Sequence, residues 1–165
     1  MTSLAERSSS LVVTQVGMGQ IATGRAGARM KAVLGSCVGL VLYQPRLKAG
    51  VMAHIVLPDS AGRGGAPGKF ADTAIPEMLR LLENMNVPVH GLIAKLCGGA
   101  NMFGSSGPVQ IGETNARAVL ETLKKHTTAR VMAEDIGGSK GRRVLFDCDN
   151  GAMTVEIAGQ PARTL

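Results

Sequence analysis

Two stretches of this chain repeat their apolar residues at helical spacing. In DTAIPEMLRLLENM (72–85) Ile75, Met78, Leu79, Leu82 and Met85 share one face, and in ETNARAVLETLKKH (113–126) Val119, Leu120 and Leu123 do the same. Asp72 or Thr73 is placed to cap the first helix, with Pro76 in its first turn. The acidic start and basic end of the second suit the helix dipole. The other apolar runs are short and β-branched: LVVTQVGMGQIATG (11–24), MKAVLGSC (30–37), VGLVLY (38–43), GVMAHIVLP (50–58), VHGLIAKLCGG (89–99), ARVMAED (129–135), RRVLFDC (142–148) and MTVEIAG (153–159). QPRLKA, IGGSKG and DNG between them are turn chemistry. Two helices cannot alternate with about six to eight strands, which disfavours a doubly wound sheet. The expectation is an α+β fold, a layered α/β sandwich with β-sheets flanked by the two long helices.

The 165 residues suit one domain spanning 1–165, with a polar, loose segment over 1–10. Apolar residues make up 45% and aromatics 2%, with one Tyr and no Trp, so the core must be aliphatic. A platform for stacking bases needs aromatic rings, and this chain has few. The net charge of +6 is scattered, its tightest group being Lys140, Arg142 and Arg143. GGSKGRR (137–143) lacks the spacing of a phosphate loop and reads as a basic β-turn. No nucleic-acid partner is expected. There is no signal-peptide pattern and no apolar run of ~18 residues, so the expectation is a cytoplasmic protein without membrane insertion. Cys37, Cys97 and Cys148 show no paired spacing, which points to free thiols and to no metal. No cofactor is implied.

The residues that can carry chemistry are Cys37 and His54. A thiol with an ordinary pKa near ~8.5 is only slightly ionised at neutral pH, and a histidine within hydrogen-bond reach supplies the missing activation. If the hairpin turns on Gln44-Pro45-Arg46-Leu47, Tyr43 faces Lys48, Val41 faces Gly50 and Cys37 faces His54. Cross-strand neighbours have Cβ atoms ~5 Å apart. A turn centred near Leu47 instead slips His54 by about three residues along the strand. The sequence permits the first register without forcing it. Gly35 and Ser36 bring backbone N–H groups close to Cys37, where they can face a developing oxyanion. Asn101, in GGANMF, can line the site or serve only its turn. The plainer reading makes Cys37 a small buried hydrophobe and His54 a satisfied polar residue. His90 and His126 read as structural or solvated.

LGSCVGLVLYQPRLKAGVMAHIVLPDS, PGKFADTAIPEML, KLCGGANMF, IGETNARAVLETLKK and AEDIGGSKGRRVLFDCDNG, in this order over roughly residues 14–158, resemble the successive motifs of the CheD family of chemoreceptor glutamine deamidases. The resemblance implies a cysteine hydrolase that turns receptor glutamine side chains into glutamate through a Cys thioester. It implies a scaffold related to toxin-type glutamine deamidase catalytic domains, with Cys37 as nucleophile and His54 as base. The implied partners are the cytoplasmic domain of a chemoreceptor, as protein substrate, and a CheC-type chemotaxis phosphatase. The family commonly places a threonine on the strand before the GSC turn. Here that strand offers Lys31 and Ala32, so the imidazole's second partner is left to a backbone carbonyl, to another hydroxyl such as Thr23, or to nothing. Cys97 stands where the family often has an aromatic and reads as core packing. The alternative function is a binding and regulatory partner of the phosphatase with little deamidase activity of its own.

Overall fold

The computed structural model describes residues 12–102 and 110–165. The loose segment expected over 1–10, and residues 103–109 of the Gly/Ser loop, lie outside the described residues. The chain runs β1 (Val12–Gln15), β2 (Ile21–Gly24), β3 (Ala28–Leu34), β4 (Val38–Gln44), β5 (Ala49–Ile55), α1 (Ala71–Asn84), β6 (Ile93–Gly98), α2 (Ile111–His126), β7 (Arg130–Ile136), β8 (Arg142–Asp147), β9 (Ala152–Glu156) and β10 (Arg163–Thr164). Two mixed five-stranded sheets result, ordered β1-β3-β8-β9-β10 and β2-β5-β4-β6-β7. The fold is α+β, as the uneven distribution of helices predicts.

Side-chain alternation along β4 and β5 explains the layering. Every residue of both strands is buried, which requires cover on both faces. Val38, Leu40 and Leu42 of β4, with Val51, Ala53 and Ile55 of β5, pack against Ala74, Ile75, Met78 and Leu82 of α1 and against Val119 and Leu123 of α2. Their alternate neighbours, Val41, Tyr43 and Met52, face the other sheet and meet Met30, Leu34 and Phe146 there. Both helices therefore share one outer face of the second sheet. The outer face of the first sheet carries exposed Val33, Lys31 and Arg143 instead of a helix. No described helix is long and apolar enough to cross a membrane.

Two local expectations are corrected. Helix α1 starts at Ala71 with Phe70 as its N-cap and has no side-chain cap. Asp72 is inside the first turn, where it accepts from the Ser60 N–H at 2.9 Å and the Ser60 hydroxyl at 2.7 Å. The Thr73 hydroxyl donates backwards to the Pro67 carbonyl at 2.6 Å. This earlier start moves Pro76 from the first turn into the second. The short strand β10, pairing with β9, carries too few residues to leave a pattern in the sequence.

Candidate active site

The Gly35-Ser36-Cys37 turn joins β3 of the first sheet to β4 of the second, so Cys37 sits where the two sheets meet. All three of its carbonyls are held by other parts of the chain. The Gly35 oxygen accepts from the Ala100 N–H at 3.0 Å and the Cys37 oxygen from the Gly99 N–H at 2.9 Å. The Ser36 oxygen accepts from the Asn115 side chain at 3.0 Å. This close approach explains the glycines after β6. A Cβ on Gly98, whose φ is +112°, would lie 2.2 Å from the Cys37 oxygen. A Cβ on Gly112, in the first turn of α2, would lie 2.3 Å from the Ala100 oxygen. Only hydrogen at these positions lets the loop lie between the turn and the helix.

His54 is nearly as buried as the core, at 3% exposure. Alternation along β5 puts it on the same side as Met52, between the sheets. Its Nδ1 lies 2.9 Å from the Val16 carbonyl oxygen. A carbonyl can only accept, so Nδ1 carries the proton and Nε2 is left as the basic nitrogen of the neutral ring. The loop between β1 and β2 also grips the His54 backbone. Gly19 N–H donates to the His54 oxygen at 2.9 Å, and His54 N–H donates to the Gln20 oxygen at 3.0 Å. Val16 is itself fixed, its N–H donating to the Lys31 oxygen at 2.8 Å. Of the three second partners left open for the imidazole, the observed one is a backbone carbonyl. Thr23 is exposed and pairs with Val51, four residues along β2–β5 from the Gly19–His54 contact.

The hairpin register differs from the expected one by two residues. Gln44 pairs with Ala49 and Gly39 with His54, so the loop is Pro45–Lys48 and Cys37 is not directly opposite His54. The cause is at the turn. Gln44 remains in the strand because its side-chain amide donates to the Pro88 oxygen at 3.1 Å and the His90 oxygen at 2.9 Å. Lys48 closes the longer loop in the left-handed region, with φ 50°. A shift by two conserves the face, whereas a shift by one would have reversed it. Cys37 precedes the first paired residue of β4, Val38, and packs in the layer between the two sheets, the side to which His54 also points by alternation with Met52.

The three thiols differ. Burial pushes Cys97 up to about 12 and Cys148 up to about 11, and both are fully buried. Burial also raises Cys37, but its own backbone N–H opposes the rise, and the residue retains 8% exposure where the other two retain none. Cys37 is therefore the least buried of the three thiols, and it needs a base to ionise. Asn101 lies on the loop that clamps the turn. Its N–H donates to the Gly138 oxygen at 2.8 Å and its side-chain amide to Gln110 at 3.4 Å. The basic turn after β7 turns inward: Arg142 is 5% exposed and donates to the Gly98 and Gly137 carbonyls and to Asp135. Sequence reasoning missed Asn115. It stands on the stripe that also carries Val119 and Leu123, where an amide among apolar neighbours is the signal.

Fold and site together define an α+β protein that holds a cysteine and an oriented histidine at the junction of two sheets. A family model described as CheD chemotactic sensory transduction matches residues 56–157. The chemoreceptor glutamine deamidase CheD of Thermotoga maritima is 39% identical over 145 residues, covering 87% of this chain and 91% of that protein. A probable chemoreceptor glutamine deamidase CheD of Methanococcus vannielii is 39% identical over 146 residues, covering 87% of this chain and 94% of the relative. One of Clostridium botulinum is 39% identical over 151 residues, with 88% and 93% covered. The chain belongs to the CheD family.

Proposed function

We propose that this protein hydrolyses the side-chain amide of glutamine residues in chemoreceptors, with Cys37 as nucleophile and His54 as base. The observation that carries the proposal is the hydrogen bond from His54 Nδ1 to the Val16 carbonyl, which directs the basic Nε2 to the free side of the ring. His54 takes the proton of Cys37, and Sγ bonds to the carboxamide carbon. Backbone N–H groups at Gly35–Cys37 steady the oxyanion. The imidazolium then protonates the nitrogen, the C–N bond breaks and ammonia leaves. Water, deprotonated by His54, attacks the thioester; glutamate forms and the thiol returns.

The test is incubation with a purified chemoreceptor cytoplasmic fragment, reading released ammonia and the amide-to-acid mass change at individual glutamines. Wild-type turnover that Cys37→Ala abolishes supports the reading. Undiminished turnover by Cys37→Ala overturns it. The proposal also places the protein in the cytoplasm with a CheC-type phosphatase as a partner, for which co-purification of the two is the check. It includes kinship of the scaffold with toxin-type glutamine deamidase domains, to be tested by superposition on one.

A further inference from the structure

The β4–β5 ladder stops at Val38 and Ile55, one pair short of Cys37. The next pair would be Cys37 with Val56, but both are engaged elsewhere: the Cys37 oxygen by Gly99 N–H, and the Val56 N–H by the Lys69 oxygen at 2.9 Å. The ladder therefore holds the Cys37 turn to the His54 strand only through its last pair, Val38 with Ile55, and Cys37 and Ser36 lie beyond it. At this point one side chain reaches both turn and strand. Asn115 of α2, at 0% exposure, donates from Nδ2 to the Ser36 oxygen at 3.0 Å and to the Val56 oxygen at 2.9 Å. Ser36 precedes Cys37, and Val56 follows His54 by two residues.

The amide orientation is fixed by chemistry. Flipped, it would set Oδ1 against two carbonyl oxygens, none of which can donate. In the observed orientation Oδ1 is buried with no hydrogen-bond partner. A buried acceptor left unsatisfied costs stability relative to an apolar side chain, so the position loses stability in order to keep two donors.

We propose that Asn115 is a positioning residue: its two N–H groups form the crosspiece that holds the Cys37 turn at a fixed distance from the His54 strand. The inference rests on the reading of Cys37 and His54 as nucleophile and base. It acts through their spacing and makes no contact with substrate.

The test uses the full chain and two readouts. The first is the pH dependence of Cys37 alkylation by iodoacetamide, which reports thiol–imidazole coupling without substrate. The second is kcat and KM for ammonia release from a chemoreceptor fragment. Asn115→Ala is expected to move the alkylation profile to higher pH, as His54→Ala does, and to lower kcat at least about tenfold with KM within about twofold. Val119→Ala, one turn along the same buried stripe, is expected to lower Tm while leaving the alkylation profile and kcat at the wild-type values. A folded Asn115→Ala with wild-type profile and kcat overturns the proposal, as does a Val119→Ala that shifts the profile equally. If Asn115→Ala does not fold, Asn115→Leu, of similar size, apolar and without donors, is read for its kcat, and wild-type turnover overturns the proposal. Absence of ammonia release by the wild type would defeat the deamidase reading alone, because the alkylation arm still reports the crosspiece.

Discussion

His54 Nδ1 and the Val16 carbonyl oxygen lie 2.9 Å apart in a buried setting, so a backbone group does for this imidazole what a hydroxyl or carboxylate does in a side-chain triad. Replacing the ring removes the proton acceptor. His54→Ala is expected to lower kcat for ammonia release by about a hundred- to ten-thousand-fold. Lys31→Thr, which places a hydroxyl on β3 where the family pattern has one, is expected to change kcat by less than about threefold, because Lys31 is exposed on the outer face of the first sheet. Steady-state kinetics on one receptor fragment decides both.

The contrast among the three thiols gives a labelling prediction. Native protein treated briefly with iodoacetamide near neutral pH carries the label on Cys37, while Cys97 and Cys148, pushed up to about 12 and about 11, carry none. Raising the pH speeds the Cys37 reaction, since a raised pKa leaves less thiolate below it. Peptide mass spectrometry, with fully labelled denatured protein as reference, checks the order.

Gly98 is the point at which a single methyl group reaches the Cys37 turn. Gly98→Ala puts a Cβ 2.2 Å from the Cys37 oxygen at a φ of +112°. It is expected to cost more than about 2 kcal/mol of stability and to remove most of the activity. Gly64→Ala, where a Cβ meets nothing within 4 Å, is expected to leave both unchanged. Urea unfolding and ammonia release on the pair separate a site-specific effect from a general one.

Asp72 links folding to acid. Burial alone would push its carboxyl up, but the Ser60 hydroxyl and N–H, together with Asp72's own backbone and the Asp59 side chain, outweigh burial and hold it below the ordinary 3.8. A carboxylate depressed in the folded state contributes stability that is fully present above 3.8 and is lost as pH falls through the folded value. Ser60→Ala, which keeps the backbone N–H and removes the hydroxyl, is therefore expected to lose the hydroxyl's share of this contribution near neutral pH and to narrow the gap from wild type as the solution is acidified below that point. Denaturant unfolding across an acid pH series is the measurement.

What the residues disclosed in advance follows from the periods they obey. Both helices were legible because Ile75, Met78 and Leu82, and Val119 and Leu123, repeat with the helix. The shared layer of Cys37 and His54 was legible only for the Gln44–Leu47 turn and for registers two residues from it, since a slip of three reverses the face. The register was not, because it depends on Gln44 being held by the Pro88 and His90 carbonyls from a later loop. The Val16 carbonyl could not be read from any side chain. Asn115 could have been found as the one amide on an apolar stripe, but its targets are carbonyls 79 and 59 residues away in sequence. The arrangement of both helices on one face followed from which strands lie at the centre of the second sheet, and no local pattern records that.

The clamp on the three carbonyls of the Gly35–Cys37 turn has a consequence for the chain's history. Its parts are Gly99, Ala100 and Asn115, and all of them leave the ribosome after Cys37 and His54 are already outside. A nascent chain that carries Cys37 and His54 but not yet α2 lacks the contacts that hold the Gly35–Cys37 turn. Contacts this distant in sequence close late. The Gly35–Cys37 turn thus takes its final form only once the later part of the chain has closed on it.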